Sequence, residues 1–196
     1  MIVDLHKDDC KHWQFYADFL PGKELAAVDL TQPTKFNDTA RNRYNYCVKH
    51  GYTAVGGWDI RNSQIENLYR INTSSDSRQG RPMHPAYFEH PTETNVENTC
   101  PYHQIRFFAV LSPSGDMVAY AICYFVGEVV NISTILGHTA YMKDGIMLLL
   151  MRRLIDESRD FGAKLLVYYL WISGKESLTY FKHSVGFKPM RVNVKP

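Results

Sequence analysis

The stretch Lys143-Asp-Gly-Ile-Met-Leu-Leu-Leu-Met-Arg-Arg-Leu-Ile-Asp-Glu-Ser-Arg-Asp-Phe-Gly162, followed directly by Ala163-Lys-Leu-Leu-Val-Tyr-Tyr-Leu-Trp171, decides the fold. Its first part has helical periodicity. Ile146, Met147, Leu149, Leu150, Leu154 and Ile155 form one apolar face, and Arg152, Arg153, Asp156, Glu157, Arg159 and Asp160 cover the other. Asp144 is placed to N-cap this helix, and Gly162 to end it in a left-handed turn. Lys164 to Trp171 is an apolar and aromatic run almost free of charge, the pattern of a strand buried on both faces. A second helix over Glu176 to Ser184, closed by Gly186-Phe187, leads to a final strand. Helix, strand, helix and strand make an α/β unit whose strand end opens beside a helix N-terminus, a usual place for a ligand.

Upstream, Phe107–Leu111, the turn Ser112-Pro-Ser-Gly-Asp116 and Met117–Val126 read as a hairpin, with another strand over 130–135. Nearer the start, Ile2–Leu5 reads as a short strand and His12–Leu20 as a short amphipathic helix ended by Pro21-Gly22. Glu24–Leu30 has a mixed signal, strand or helical turn. Asn37–His50 is a polar helix capped by Asn37 or Asp38 and stopped by Gly51. Tyr52–Trp58 is a strand whose Gly56-Gly57 pair suggests a bulge or a close backbone approach, and Gln64–Ile71 is helical. Residues 72–104 are irregular, since Pro85, Pro91 and Pro101 deny them regular structure. Their Met83, Tyr87, Phe88 and Tyr102 indicate a packed, functional loop rather than a linker. With no internal repeat or linker, residues 1–196 read as one domain.

Composition excludes more than it selects. Charged residues make up 21% and hydrophobic ones 45%, ordinary values for a globular protein, and 13 Tyr with 10 Phe suit a β-rich core. A net charge of +2 leaves no general basic face for polyanions. The opening residues are charged too early for a signal peptide, and no apolar run approaches the ~20 residues of a membrane span. A soluble, cytoplasmic protein without membrane contact is therefore expected. Cys10, Cys47, Cys100 and Cys123 are too widely and irregularly spaced for a secreted disulfide framework. Cys10-x-His12, Cys47-x-x-His50 and Cys100-x-x-His103 repeat a metal-ligand pairing, but no pair has a second at finger-like distance. Buried thiols and surface imidazoles are the ordinary reading, and no metal is expected.

From Phe107 to Val194 the order of elements resembles the GNAT (N-acetyltransferase) fold: a mixed, mainly antiparallel twisted sheet flanked by helices. Three pieces carry the resemblance: Tyr141-Met-Lys-Asp-Gly145 before an unbroken Leu-rich helix, Phe161-Gly162 ahead of the buried strand, and Phe181-Lys182-His-Ser-Val-Gly186-Phe187. The last is similar to the Phe-Lys…Phe-Gly motif of the Fem-type aminoacyl transferases. Together they resemble that group and the arginyl-tRNA–protein transferases more than ordinary acetyltransferases. The division that follows is a variable N-terminal half over 1–104, bearing the acceptor-side loop, and a core over 105–196. The chain departs from ordinary acetyltransferases at their Gln/Arg-x-x-Gly-x-Gly/Ala loop, which holds the CoA pyrophosphate. Here Met142-Lys-Asp-Gly145-Ile-Met147 keeps only the first glycine. Bulky Met147 stands where a backbone would approach phosphate.

The resemblance implies an acyl or aminoacyl transferase moving an activated acyl group to an amine or hydroxyl. Its donor would be an acyl-CoA, an aminoacyl-tRNA or an acyl-nucleotide; its acceptor a small molecule, a peptide or a nucleic acid. Lys143 and Gly145 at the helix start, where free N–H groups and the helix dipole favour anions, would meet the donor. Lys182 and Trp171 would join them. Tyr180 is the candidate general acid, and Asp144 or His138 the base. Arg78-Gln79-Gly80-Arg81 would clamp a phosphate or carboxylate of the acceptor, two guanidinium groups flanking a turn. Each has an ordinary role too: Asp144 as cap, Tyr180 as core anchor, the arginines as solvated loop residues. Two other functions share the pattern, a nucleobase-modifying enzyme of the same fold and a non-catalytic binding module with a degraded donor loop.

Overall fold

The computed structural model describes residues 1–7, 24–78, 81–171 and 176–195. The expected helix over 12–20 lies outside them, as do Cys10 and Gln79. A seven-stranded sheet forms the frame, in the order β10-β2-β9-β8-β7-β6-β3. Its strands are β2 (Leu25–Asp29), β3 (Thr53–Gly56), β6 (His103–Leu111), β7 (Met117–Val126), β8 (Val129–Gly137), β9 (Leu165–Leu170) and β10 (Lys188–Met190). Every pairing is antiparallel except β8 with β9. Two small ribbons accompany it: β1 (Ile2–Val3) with β11 (Asn193–Val194), and β4 (Ser77–Arg78) with β5 (Arg81–Pro82).

Strand alternation sorts the core onto both faces. Phe108, Val110, Phe125 and Leu166 meet one side, covered by α1 (Asp38–Lys49), α4 (Ile146–Asp160) and the end of α5 (Glu176–Ser184). Phe107, Ala109 and Tyr120 meet the other, beneath α2 (Trp58–Ser63) and α3 (Ile65–Thr73). Leu165, Val167, Val129 and Val126 gather with Val3 and Leu5 in a third cluster under the β1–β11 ribbon. The mixed signal over 24–30 resolves as a strand. Among its described residues the irregular loop has α3 running in as far as Thr73, the short β4–β5 ribbon, a 3₁₀ turn at Pro85–Phe88 and the start of β6 at His103. Trp58, read as the end of a strand, opens α2 instead, because Gly57 (φ +135°) breaks the extended chain.

The deciding stretch is a helix and strand as expected, with two corrections. Asp144 is not the cap of α4. It ends a 3₁₀ turn over Thr139–Asp144, and Gly145 takes the cap position at φ +87°. At Gly145 a Cβ would lie 2.5 Å from the Arg43 carbonyl oxygen, so α1 crosses the start of α4 there at backbone contact. The second correction concerns β9. Leu165, Leu166 and Val167 are fully buried, but Tyr169 is exposed and Leu170 only half-buried. The strand is a core strand for half its length.

Candidate functional site

The sequence pattern does not reveal why β9 changes character at Val167; its pairing does. β8 and β9 are in register at Val129/Leu165, Val130/Leu166 and Asn131/Val167. Beyond these pairs, Ile132–Gly137 and Tyr168–Leu170 continue without pairing to each other. Each strand carries an irregularity where they part. The β7–β8 register passes from Cys123/Ile132 to Ile122/Thr134, which leaves Ser133 as an extra residue on β8. The β2–β9 register passes from Ala27/Val167 to Leu25/Leu170, so Tyr168 and Tyr169 together face Ala26. Bulges bend a strand and sharpen its twist. Two of them, on the outer sides of adjacent strands, turn the pair apart. Tyr169 sits at φ +52°, a left-handed conformation that costs a bulky residue about 1–2 kcal/mol.

The parted strands open into a cavity of about 860 Å³. Ile135, Leu136 and Gly137 of β8 and Tyr168 of β9 form its back, and Gly145, Met147 and Leu148 of α4 one flank. Asn37, Ala40 and Arg43 of α1 and Ser177, Tyr180, Phe181 and Ser184 of α5 complete the walls. Arg78, Arg81, Met83, His84 and Tyr87 close it from the irregular loop. Met147 and Met142 fill the end of β8: a Cβ on Gly137 would meet their sulfur atoms at 2.7 and 3.1 Å. Near the α4 start, thioethers thus pack on Gly137 and the α1 backbone crosses at Gly145.

The residues singled out from sequence divide into two groups. Arg78, Arg81, Gly145 and Tyr180 line the cavity, Tyr180 with 59% of its surface exposed. Asp144, His138, Lys143, Lys182 and Trp171 are not among its lining residues. Asp144 accepts a hydrogen bond from the Tyr52 hydroxyl at 2.7 Å. Burial and that contact push the Tyr52 pKa up, keeping its proton in place. Nδ1 of His138 accepts from the Ala140 N–H at 3.2 Å, capping the 3₁₀ turn. Burial, then the nearby Arg78 and Arg70, hold its pKa below the ordinary histidine value. His138 is thus a neutral ring whose basic nitrogen is already used. Lys143 is exposed, and its carbonyl, with that of Met142, accepts from Arg43. Trp171 is half-buried against the main core.

Lys182 has a position that spacing does not predict. Its side chain is fully buried, and Nζ donates to the Leu170 carbonyl at 2.5 Å, over the Tyr168 ring at 5.2 Å. Burial lowers its pKa from 10.5 to about 8. It ties α5 to the end of β9 that has parted from β8, behind the cavity wall. Arg78 is equally engaged: Nη1 donates to the Gly137 carbonyl at 2.8 Å, and Nη2 to the Ile71 carbonyl and Ser74 Oγ at 2.9 and 3.0 Å. Sequence reasoning missed Ser177, Ser184 and Thr39, which line the cavity, because nothing in their local pattern separates a cavity-lining polar residue from a solvated one.

The two cysteine–histidine pairs within the described residues do not line the cavity. Cys47 is buried beside Gly145, and burial pushes its pKa up to about 12. Cys100 Sγ lies 3.3 Å from Nδ1 of His103, whose Nε2 donates to the Leu5 carbonyl at 2.7 Å, pinning the N-terminal strand. Among the described residues no three His, Cys, Asp or Glu side chains converge on one point, and no helix is long and apolar enough to cross a membrane.

No family model and no curated protein matches the sequence. A FemX structure superposes with a TM-score of 0.63 over 89% of this chain and 61% of its own, at 11% identity. The L-PGS structure from Bacillus licheniformis gives 0.54 over 92% and 63%, at 19% identity. The ribosomal-protein-S18-alanine N-acetyltransferase from Escherichia coli gives 0.52 over 70% and 77%, at 19% identity. The chain spans about three-fifths of the length of the first two. With its mainly antiparallel seven-stranded sheet, one parallel pair within it, parted strands and a long helix beside them, this chain has the GNAT fold.

Proposed function

We propose that the protein transfers an activated acyl or aminoacyl group to an amine. The observation that carries this reading is the opening between β8 and β9 beyond Asn131 and Val167, which leads into the cavity. Strands that part in this way turn main-chain N–H groups toward the gap, where they stabilise the oxyanion as it forms. The donor enters with its carbonyl between the strands. The acceptor nitrogen attacks the carbonyl carbon, and the bond from that carbon to the donor's carrier oxygen breaks. Tyr180, on the cavity wall, gives the departing oxygen its proton and regains one from the acceptor nitrogen through solvent.

The packing at the α4 start argues against an ordinary acetyl-CoA. Met147 and Met142 crowd Gly137, the Arg43 carbonyl lies against Gly145, and bulky Met147 stands where a small residue would let a backbone approach a pyrophosphate. An aminoacyl ester, whose carrier needs no such cradle, suits the cavity better. The test incubates the protein with charged tRNAs and, separately, with acyl-CoA esters, in the presence of a mixed amine panel, and reads products by mass. Product from charged tRNA alone is the expected result. Product from acyl-CoA alone would overturn the choice of donor, and no product from either would overturn transfer.

A further inference from the structure

We propose that Arg81 recognises an anionic group on the acceptor and that Arg78 is the strut that aims it; this rests on the transfer reading above. Arg78 and Arg81 stand directly opposite each other in the β4–β5 ribbon. Directly opposed residues of an antiparallel pair leave the same face, and like charges so placed repel. Nothing acidic on the cavity wall relieves them: the described lining residues include Arg43, Arg78 and Arg81, and no aspartate or glutamate. Two of these cations already have work. Arg43 holds the carbonyls of Met142 and Lys143, and Arg78 spans to Gly137, Ile71 and Ser74. Arg81 is exposed, and its guanidinium has no hydrogen-bond or ion-pair partner among the described residues.

The paired arginines therefore differ in role. Arg78 locks the ribbon to the carbonyl of Gly137, the last residue of β8, and so fixes where the ribbon stands relative to the parted strands. Arg81 is left facing the cavity with a planar fork of donors, the geometry that fits a carboxylate or phosphate bidentately. An anion there relieves the repulsion within the ribbon as well as binding the fork. The acceptor class that follows is an amine carrying a carboxylate or a phosphate.

Matched acceptors test this. Glycine is compared with glycinamide, and O-phosphoethanolamine with ethanolamine, as kcat/KM ratios in the wild type, Arg81→Gln, Arg81→Lys and Arg78→Met. The charged member of at least one pair is favoured about tenfold or more in the wild type, the size of a charge-assisted contact. Which pair responds tells carboxylate from phosphate. Arg81→Gln brings the ratio toward one without moving the unfolding midpoint, and Arg81→Lys restores part of it. Arg78→Met lowers ratio and midpoint together. A wild-type ratio near one, or one that Arg81→Gln leaves intact, overturns the proposal. Calorimetric titration with inorganic pyrophosphate separates it from the transfer reading. Binding that Arg81→Gln abolishes sustains the anion site even where no acceptor turns over; binding that survives in Arg81→Gln removes it.

Discussion

The two halves of the β8–β9 pair are built from similar residues and behave differently. From Val129 to Asn131 and from Leu165 to Val167 the strands are zipped, and all but Asn131 of these residues are buried. From Ile132 and Tyr168 onward they part, their bulges pulling toward β7 on one side and β2 on the other. The zipped half anchors the fold through side chains packed on both faces. The open half keeps its pairing to β7 on one side and to β2 on the other, and polar ties add to it: Lys182 to Leu170, and Arg78 to Gly137. On the transfer reading, stability and chemistry fall to different ends of one strand pair.

Substitutions that weigh one end against the other test this division. Leu166→Ala, in the zipped half, leaves a cavity in the main core and lowers stability by ~2–5 kcal/mol in urea unfolding; an unmoved midpoint would mean that half is not the anchor. Gly145→Ala, where α1 crosses the start of α4, combines a left-handed strain with a backbone clash and costs roughly 2–4 kcal/mol by the same measurement. A small loss would show that the two helices can slide apart.

At the open end, Lys182 contributes a pH dependence with a definite sign. Its folded pKa of about 8 lies below the ordinary 10.5, so between these values the unfolded chain binds more protons than the folded one. The buried charge therefore penalises the fold below pH 8, by up to about 3 kcal/mol, and the penalty fades as pH rises toward 10.5. Lys182→Met loses this term, so its stability relative to the wild type falls from pH 7 to pH 10. Parallel curves for the two proteins would place the ammonium in solvent.

Tyr180→Phe lowers kcat by about 100-fold with little change in KM, since only the proton donor is lost. Equal turnover would return Tyr180 to a purely structural role. The smallest effect belongs to Tyr169→Gly, which relieves the φ +52° strain and stabilises the fold by ~1 kcal/mol or less. Destabilisation instead would mean that the exposed ring packs on something the strain serves.

The elements were largely legible because their signals are local. The apolar stripe of α4, the Asn37 cap of α1, the left-handed Gly162 and the Gly186-Phe187 stop each depend on a few neighbouring residues, and each is where the pattern put it. The site was legible only in part. Tyr180, Arg78 and Arg81, singled out by residue type, line the cavity, but type does not tell that Arg78 is tied to the end of β8 while Arg81 is exposed. Asp144 looked like a cap because the 3₁₀ turn before it has no pattern of its own. Lys182 was read as a donor-facing cation, and nothing in one helix reveals that a neighbouring strand end will bury it.

By itself, then, the sequence determined the order of helices and strands, the faces they bury and the absence of a glycine-rich phosphate loop, because periodicity, caps and turns are decided by residues close along the chain. Only the tertiary structure decided that β8 and β9 part after three pairs, that the methionines crowd Gly137 while the α1 backbone crosses at Gly145, and that one arginine of a pair is left facing the cavity. Those outcomes depend on register shifts against β7 and β2 and on contacts between segments tens of residues apart, where no local pattern carries the information.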